Sequence, residues 1–200
     1  MSEEEQMFGS NIKDLAEVDV PFYYNILNYY SILAGTKRGM KIDTPKRVYN
    51  FAQELQTKRE YDKFSMFLAE GDQMIVGNHL RVFSFCEHHL LPFFGEASIA
   101  YIPDKEIFGL SKFQRVVDKF ASTPQVQERL TTQIIDFIQE RLCPRGVAVQ
   151  LKCIHTCVFA RGVNTQGAEF TTTAVRGVMK DNPQAREEFL SSIADSRLRI

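Results

Sequence analysis

Two short stretches carry most of the reactive side chains. FCEHHLLPFFG, residues 85–95, sets Cys86, His88 and His89 within four residues, and KCIHTC, residues 152–157, sets Cys153, His155 and Cys157 at alternate positions. Thiolate and imidazole together suit Zn²⁺. Three of the chain's four histidines fall in these stretches. Cys86 and His89 are three apart, a spacing for two ligands on one turn. Alternation on a predicted strand would point Cys153, His155 and Cys157 to one face. Two kinds of site fit. Cys86, His89, His155 and Cys157 could form a closed structural centre, which leaves His88 without a role. A three-ligand centre would keep one position for water, with the spare histidines as acid and base. The remaining cysteine, Cys143 in ERLCPRG, has no histidine neighbour and reads as a small buried or surface residue.

Other candidates are weaker one by one. Lys112 and Arg115 in GLSKFQR, and Arg161 in FARGV, could hold phosphates through charge-assisted bonds. Taken singly, each is more often a solvated surface charge. Ser111 stands where it could cap the helix bearing Lys112 and Arg115. Glu128 in QVQER sits near the start of a long helix. It is either a first-turn acid favoured by the helix dipole or a carboxylate that accepts two N–H bonds from a purine or pterin edge. AGTKRGMK, residues 34–41, fails the phosphate-loop spacing and follows a helix, and no GxGxxG occurs.

The elements that must position these residues follow from periodicity. Residues 20–34 read as an amphipathic helix, and Asp43-Thr44-Pro45 starts a second. TKREYDK, residues 57–63, reads as an exposed connection. Residues 74–85 and 93–103 are predicted strands, 111–121 and 125–142 helices, 147–163 and 169–179 strands, and 183–195 a closing helix. Ile134, Ile135, Ile138 and Leu142 mark the buried stripe of the longer helix. From residue 74 the order is β-β-α-α-β-β. This predicts an α+β fold, with a helical region over 1–73 and a catalytic region over 74–200 acting as one unit.

Composition excludes several classes. A formal net charge of −1 does not suit bulk electrostatic binding of nucleic acid. No apolar run approaches the ~20 residues that span a bilayer. The opening MSEEEQMFGS is acidic, unlike a signal peptide. The expectation is a cytoplasmic protein with no membrane partner, whose cysteines serve metal or catalysis rather than disulfides.

CEHHLLPFFG, GLSKFQR, QVQERLT, PRGVAV, the HTC and ARGV pair, TTTAVRGV and the upstream DTPKRV together resemble the GTP cyclohydrolase I family, in order and spacing, over about residues 43–190. The resemblance implies a tunnelling fold, two helices on one face of a four-stranded antiparallel sheet, preceded by N-terminal helices. It implies a homo-oligomer, usually a decamer, with active sites between subunits. It also implies conversion of GTP and water to 7,8-dihydroneopterin triphosphate and formate. Residue by residue, it makes Cys86, His89 and Cys157 the zinc ligands and His88 and His155 the proton carriers. It assigns Ser111 to the later rearrangement, Glu128 with Gln127 to the guanine, and Lys112, Arg115 and Arg161 to the triphosphate. Cys153 departs from the family's usual small residue, and FASTPQVQER is less basic than its common counterpart. Two other readings are another tunnelling-fold pterin or purine enzyme and a non-catalytic, zinc-stabilised homologue.

Overall fold

A computed structural model of the chain describes residues 43–194. The helix expected over 20–34 lies outside them. The chain divides into two compact units, residues 1–56 and 57–200. Every candidate site residue belongs to the second.

Helix α1 (Asp43–Arg59) starts where Asp43-Thr44-Pro45 predicts. It also takes in Thr57–Arg59, so TKREYDK is not simply a connection. Lys119 Nζ donates to the Arg59 carbonyl at 2.8 Å and to that of Tyr61 at 2.9 Å. Such bonds satisfy carbonyls that a helix C-terminus leaves open.

The main sheet has four long strands, β2 (Ile75–Cys86), β3 (Pro92–Ile102), β6 (Gly146–His155) and β7 (Phe170–Gly177), each antiparallel to the next. A fifth, β5 (Pro124–Gln125), pairs parallel to the end of β2, so the sheet is five-stranded and mixed, in the order β5-β2-β3-β6-β7. This corrects the four-stranded expectation. It also moves the start of the long helix: Gln125 is extended beside Cys86, Val126 is extended too, and α3 runs Gln127–Leu142. β1 (Met66–Leu68) and β4 (Glu106–Phe108) form a separate antiparallel pair that periodicity did not suggest.

Alternation along the strands builds the core. Ile99, Tyr101, Val147, Val149 and Leu151 pack with Phe113, Val116 and Val117 of α2 (Ser111–Ala121) and with Leu130, Ile134, Ile135 and Ile138 of α3. The α3 stripe is buried as its period requires. Between those strand positions, Ala100 and Ala148 stand opposite each other across β3 and β6. They join a second cluster with Met179 of α5 (Val178–Asp181) and Phe189 of α6 (Pro183–Ser192). Two small side chains leave room for two large ones. Helices therefore cover part of the second face as well, and the one-face arrangement holds only for α2 and α3.

The strand expected over 147–163 ends at His155, where the helical turn α4 (Thr156–Phe159) begins. Thr156 Oγ1 donates to the Pro92 carbonyl at 2.6 Å, and Ala160 N–H to the Thr156 carbonyl at 2.7 Å. Cys157 thus rides on a turn rather than on the alternating face of Cys153 and His155.

Candidate metal centre and cleft

The CEHH segment is a tight turn at the end of β2. The Cys86 carbonyl accepts from His89 N–H at 3.2 Å and Leu90 N–H at 2.7 Å, and Cys86 N–H donates to Leu91 at 2.8 Å. Leu90 closes the turn at φ 52°. This winding carries both imidazoles back towards the cysteine. Nδ1 of His88 lies 3.7 Å, and Nδ1 of His89 3.8 Å, from Cys86 Sγ. Glu87 points outward, pairs with Arg129 of α3, and has its carboxyl pulled below the ordinary range chiefly by that hydrogen bond. Arg129 Nε also donates to Gln125 Oε1 at 2.9 Å, tying the turn to the start of α3.

β3 and β6 bring the second segment alongside, with Phe93 opposite His155 and Gly95 opposite Cys153. The approach at Gly95 admits no side chain, since a Cβ there would run into the Lys152 carbonyl. The turn α4 then places Cys157 so that its Sγ, Cys86 Sγ and a ring nitrogen of His89 all lie within 4.8 Å of one another. The donors fit a borderline-soft divalent metal. Burial, followed by the Cys86 sulfur, raises the Cys157 thiol's pKa, and the Arg161 charge opposes this. Arg161 also reaches His89, Nη1 to Nε2, at 2.8 Å.

Cys153 is not in this group. It is fully buried in the core, and burial pushes its thiol up to about 12. Its sulfur belongs to the core cluster rather than to the Cys86, His89 and Cys157 group. His79, the remaining histidine, sits beside a bulge in β2, with Nδ1 2.8 Å from Glu96 Oε2.

A cleft of about 410 Å³ opens at the cluster, lined by Cys86, His88, His89, Gln127, Glu128, His155 and Cys157 among others. His155 Nε2 is 2.8 Å from Gln127 Oε1, and its ring stacks on Phe93 at 4.5 Å with an 8° tilt. Burial lowers the His155 pKa, while the Glu128 charge acts the other way. Glu128 is exposed, in the first turn of α3.

Ser111, Lys112 and Arg115 do not line the cleft. Ser111 does not cap α2 through its side chain: Leu110 holds the cap position, and Lys112 N–H bonds to Gly109 at 2.8 Å. Lys112 is buried, and its Nζ donates to Tyr61 Oη at 2.9 Å and the Lys63 carbonyl at 2.7 Å. The Arg115 guanidinium lies 4.3 Å above the Tyr61 ring. Tyr61 and the lining residues Phe170, Thr171 and Thr172 escaped the sequence reading. Alternation in TTTAV hints at the threonines, but no local signal marks Tyr61.

The α+β scaffold holds a Cys-His-Cys group that could bind a metal, and beside it a cleft lined by two further histidines and a carboxylate. The sequence profile of the GTP cyclohydrolase I family matches residues 26–194, and the chain belongs to that family. Relatives named GTP cyclohydrolase 1 include one from Deinococcus radiodurans, 48% identical over 64% of this chain and 59% of that protein. One from Sulfurihydrogenibium sp. is 45% identical over 76% of this chain and 81% of its own length. One from Aquifex aeolicus is 45% identical over 78% and 85%. Among solved structures, the archaeosine synthase QueF-Like in the apo form is similar at 19% identity and TM-score 0.46, over 54% of this chain and 97% of that one. Among the described residues, no helix is long and apolar enough to cross a membrane.

Proposed function

We propose that the chain is a zinc-dependent GTP cyclohydrolase that converts GTP and water to 7,8-dihydroneopterin triphosphate and formate. The observation that carries this reading is the convergence of Cys86, His89 and Cys157 on a cleft that also holds His88, His155 and Glu128. Two thiolates and one imidazole suit Zn²⁺, and three protein ligands leave a fourth position open. Cys86, His89 and Cys157 would hold the zinc, which would supply a water nucleophile near neutral pH, since zinc lowers the pKa of water to ~7.

The rest falls to side chains. The Glu128 carboxylate accepts from N1–H and the 2-amino group of guanine. That anchors the six-membered ring and presents the imidazole ring to the cysteines. His88 and His155 move protons. Protonation at N7 makes C8 electrophilic, and ring opening and loss of formate need further transfers. Arg161, exposed beside His89, holds triphosphate oxygens.

Ser111, Lys112 and Arg115 act from a neighbouring copy in a homo-oligomer with the tunnelling fold, a decamer in this reading. Their placement off the cleft supports this: a single chain leaves the phosphate side incomplete. Lys112 has three N–H donors and uses two on Tyr61 and Lys63, so one remains for phosphate. Residues 1–73 and 74–200 act as one cytoplasmic unit in this reading.

Incubation of the zinc-loaded protein with GTP, followed by oxidation, should yield pterin fluorescence and an equal amount of formate. Metal-replete protein that leaves GTP unchanged would reject the reading.

A further inference from the structure

We propose that Gln127 is a positioning residue that orients the His155 ring and holds it in the Nε2–H tautomer, rather than a reader of the substrate base. This rests on the reading above in which His155 moves protons. Gln127 is 3% exposed, and both ends of its carboxamide are committed. One end lies 2.9 Å from the Phe170 carbonyl, 3.3 Å from the Leu151 carbonyl and 3.1 Å from Thr172 Oγ1. Carbonyl oxygens only accept, so this end is the NH₂ group. The reversed amide would set oxygen against two oxygens. Thr131 reinforces the arrangement, with Oγ1 2.7 Å from Thr172 Oγ1 and bonded to the Gln127 carbonyl at 2.9 Å.

The amide oxygen is thereby turned to His155 Nε2 at 2.8 Å. An amide oxygen cannot donate, so Nε2 carries a proton. Neutral imidazole and imidazolium both donate from Nε2 in this geometry. Nδ1 is therefore the ring nitrogen that Gln127 leaves unengaged. The ring is also held in plane. Phe93 stacks beneath it, and Phe170 meets it edge-on at 5.6 Å and 89°. Flipping the ring by 180° would offer a C–H to Gln127 and break the bond. With two amide hydrogens and the oxygen occupied, no donor of this side chain remains for guanine.

The test uses zinc-loaded protein carrying ¹⁵N-labelled histidine, with His155 assigned by comparison with His155→Asn. In the substrate-free wild type the neutral ring should carry its proton on Nε2. Gln127→Met should mix the tautomers and keep zinc. It should lower kcat for GTP by ~10²-fold with little change in KM or in preference for GTP over ITP. Gln127→Asn keeps a carboxamide with the same donor and acceptor ends and should retain more of the Nε2–H tautomer and of kcat than the methionine variant. It also serves if the methionine variant fails to fold. A wild-type ring protonated at Nδ1 overturns the proposal. So does a methionine variant with unchanged kcat and a raised KM or relaxed base preference. The tautomer measurement needs no substrate, so its failure is distinct from a failure to turn over GTP.

Discussion

The cleft at Cys86 and the cluster around Tyr61 both gather polar side chains from distant segments, yet they complete their bonding differently. Around Tyr61 the cations already have partners within the chain: Lys112 has two oxygen acceptors and one donor spare, and Arg115 lies flat on the ring. At the cleft, two sulfurs and an imidazole converge within 4.8 Å of one another, joined by weak sulfur contacts. Burial raises the Cys157 thiol's pKa, a cost that a bound cation would reverse. One cluster is held by the fold before any ligand arrives. The other, in the proposed reading, is completed by a metal. The difference is not marked in the family motifs, since the resemblance assigned Lys112 and Arg115 to ligand binding alongside the cysteines and histidines.

The largest effect that can break this contrast is at Cys157. Cys157→Ala should reduce bound zinc to a trace and activity to background, with the thermal midpoint of the metal-free protein little changed. Metal analysis beside a melting curve decides it. Full zinc retention would mean that the cleft does not depend on Cys157 for its metal.

The adjacent histidines come next. His89→Ala should lose zinc and activity together. His88→Ala should keep zinc and lower kcat by ~10²–10⁴-fold, the range for loss of an acid–base group. The geometry motivates the asymmetry: both rings approach Cys86 Sγ, but only His89 also belongs to the cluster with Cys157. Equal zinc loss in the two variants would put His88 into the ligand set.

A smaller effect is expected at Glu128, which is exposed and carries no structural bond from its carboxylate in the proposed reading. Glu128→Gln replaces an acceptor pair with one acceptor and one donor. It should weaken GTP by about 1–3 kcal/mol and narrow its lead over ITP and ATP, while leaving stability unchanged. Binding of the three nucleotides to wild type and variant measures this. Unaltered selectivity would remove Glu128 from the base.

The sequence anticipated the parts of this picture that are local. The Cys86–His89 turn is written in four consecutive residues, and the α3 stripe in a helical period. What it missed depends on pairing across distance. The strand over 147–163 was expected to run through Cys157, because alternation continues in KCIHTC. The bond from Thr156 to Pro92 instead winds the chain at that point and separates Cys157 from Cys153. Pro124 and Gln125 carry no strand signal of their own; their pairing with Phe85 and Cys86 makes them a strand. Tyr61 lies in a charged stretch that reads as solvated, and only α2 gives it a role.

The smallest effects test that last point. If the Tyr61 cluster is structural, its variants must cost stability without any nucleotide present. Tyr61→Phe removes a hydroxyl that accepts from Lys112 and donates to the Lys63 carbonyl at 2.7 Å. Lys112 keeps the Lys63 carbonyl, and Arg115 keeps the ring face. The loss should therefore be modest, about 0.5–1.5 kcal/mol, or a few degrees in Tm for a chain of this size. Lys112→Met removes a charged donor from both oxygens and should cost more, since bonds to charged groups are worth about 1.5–3 kcal/mol. Nucleotide-free melting curves of the two variants give the ranking. A cation held only for phosphate would leave Lys112→Met as stable as the wild type without nucleotide. The drop in Tm would then belong to Tyr61 alone, and the contrast between the two clusters would fail.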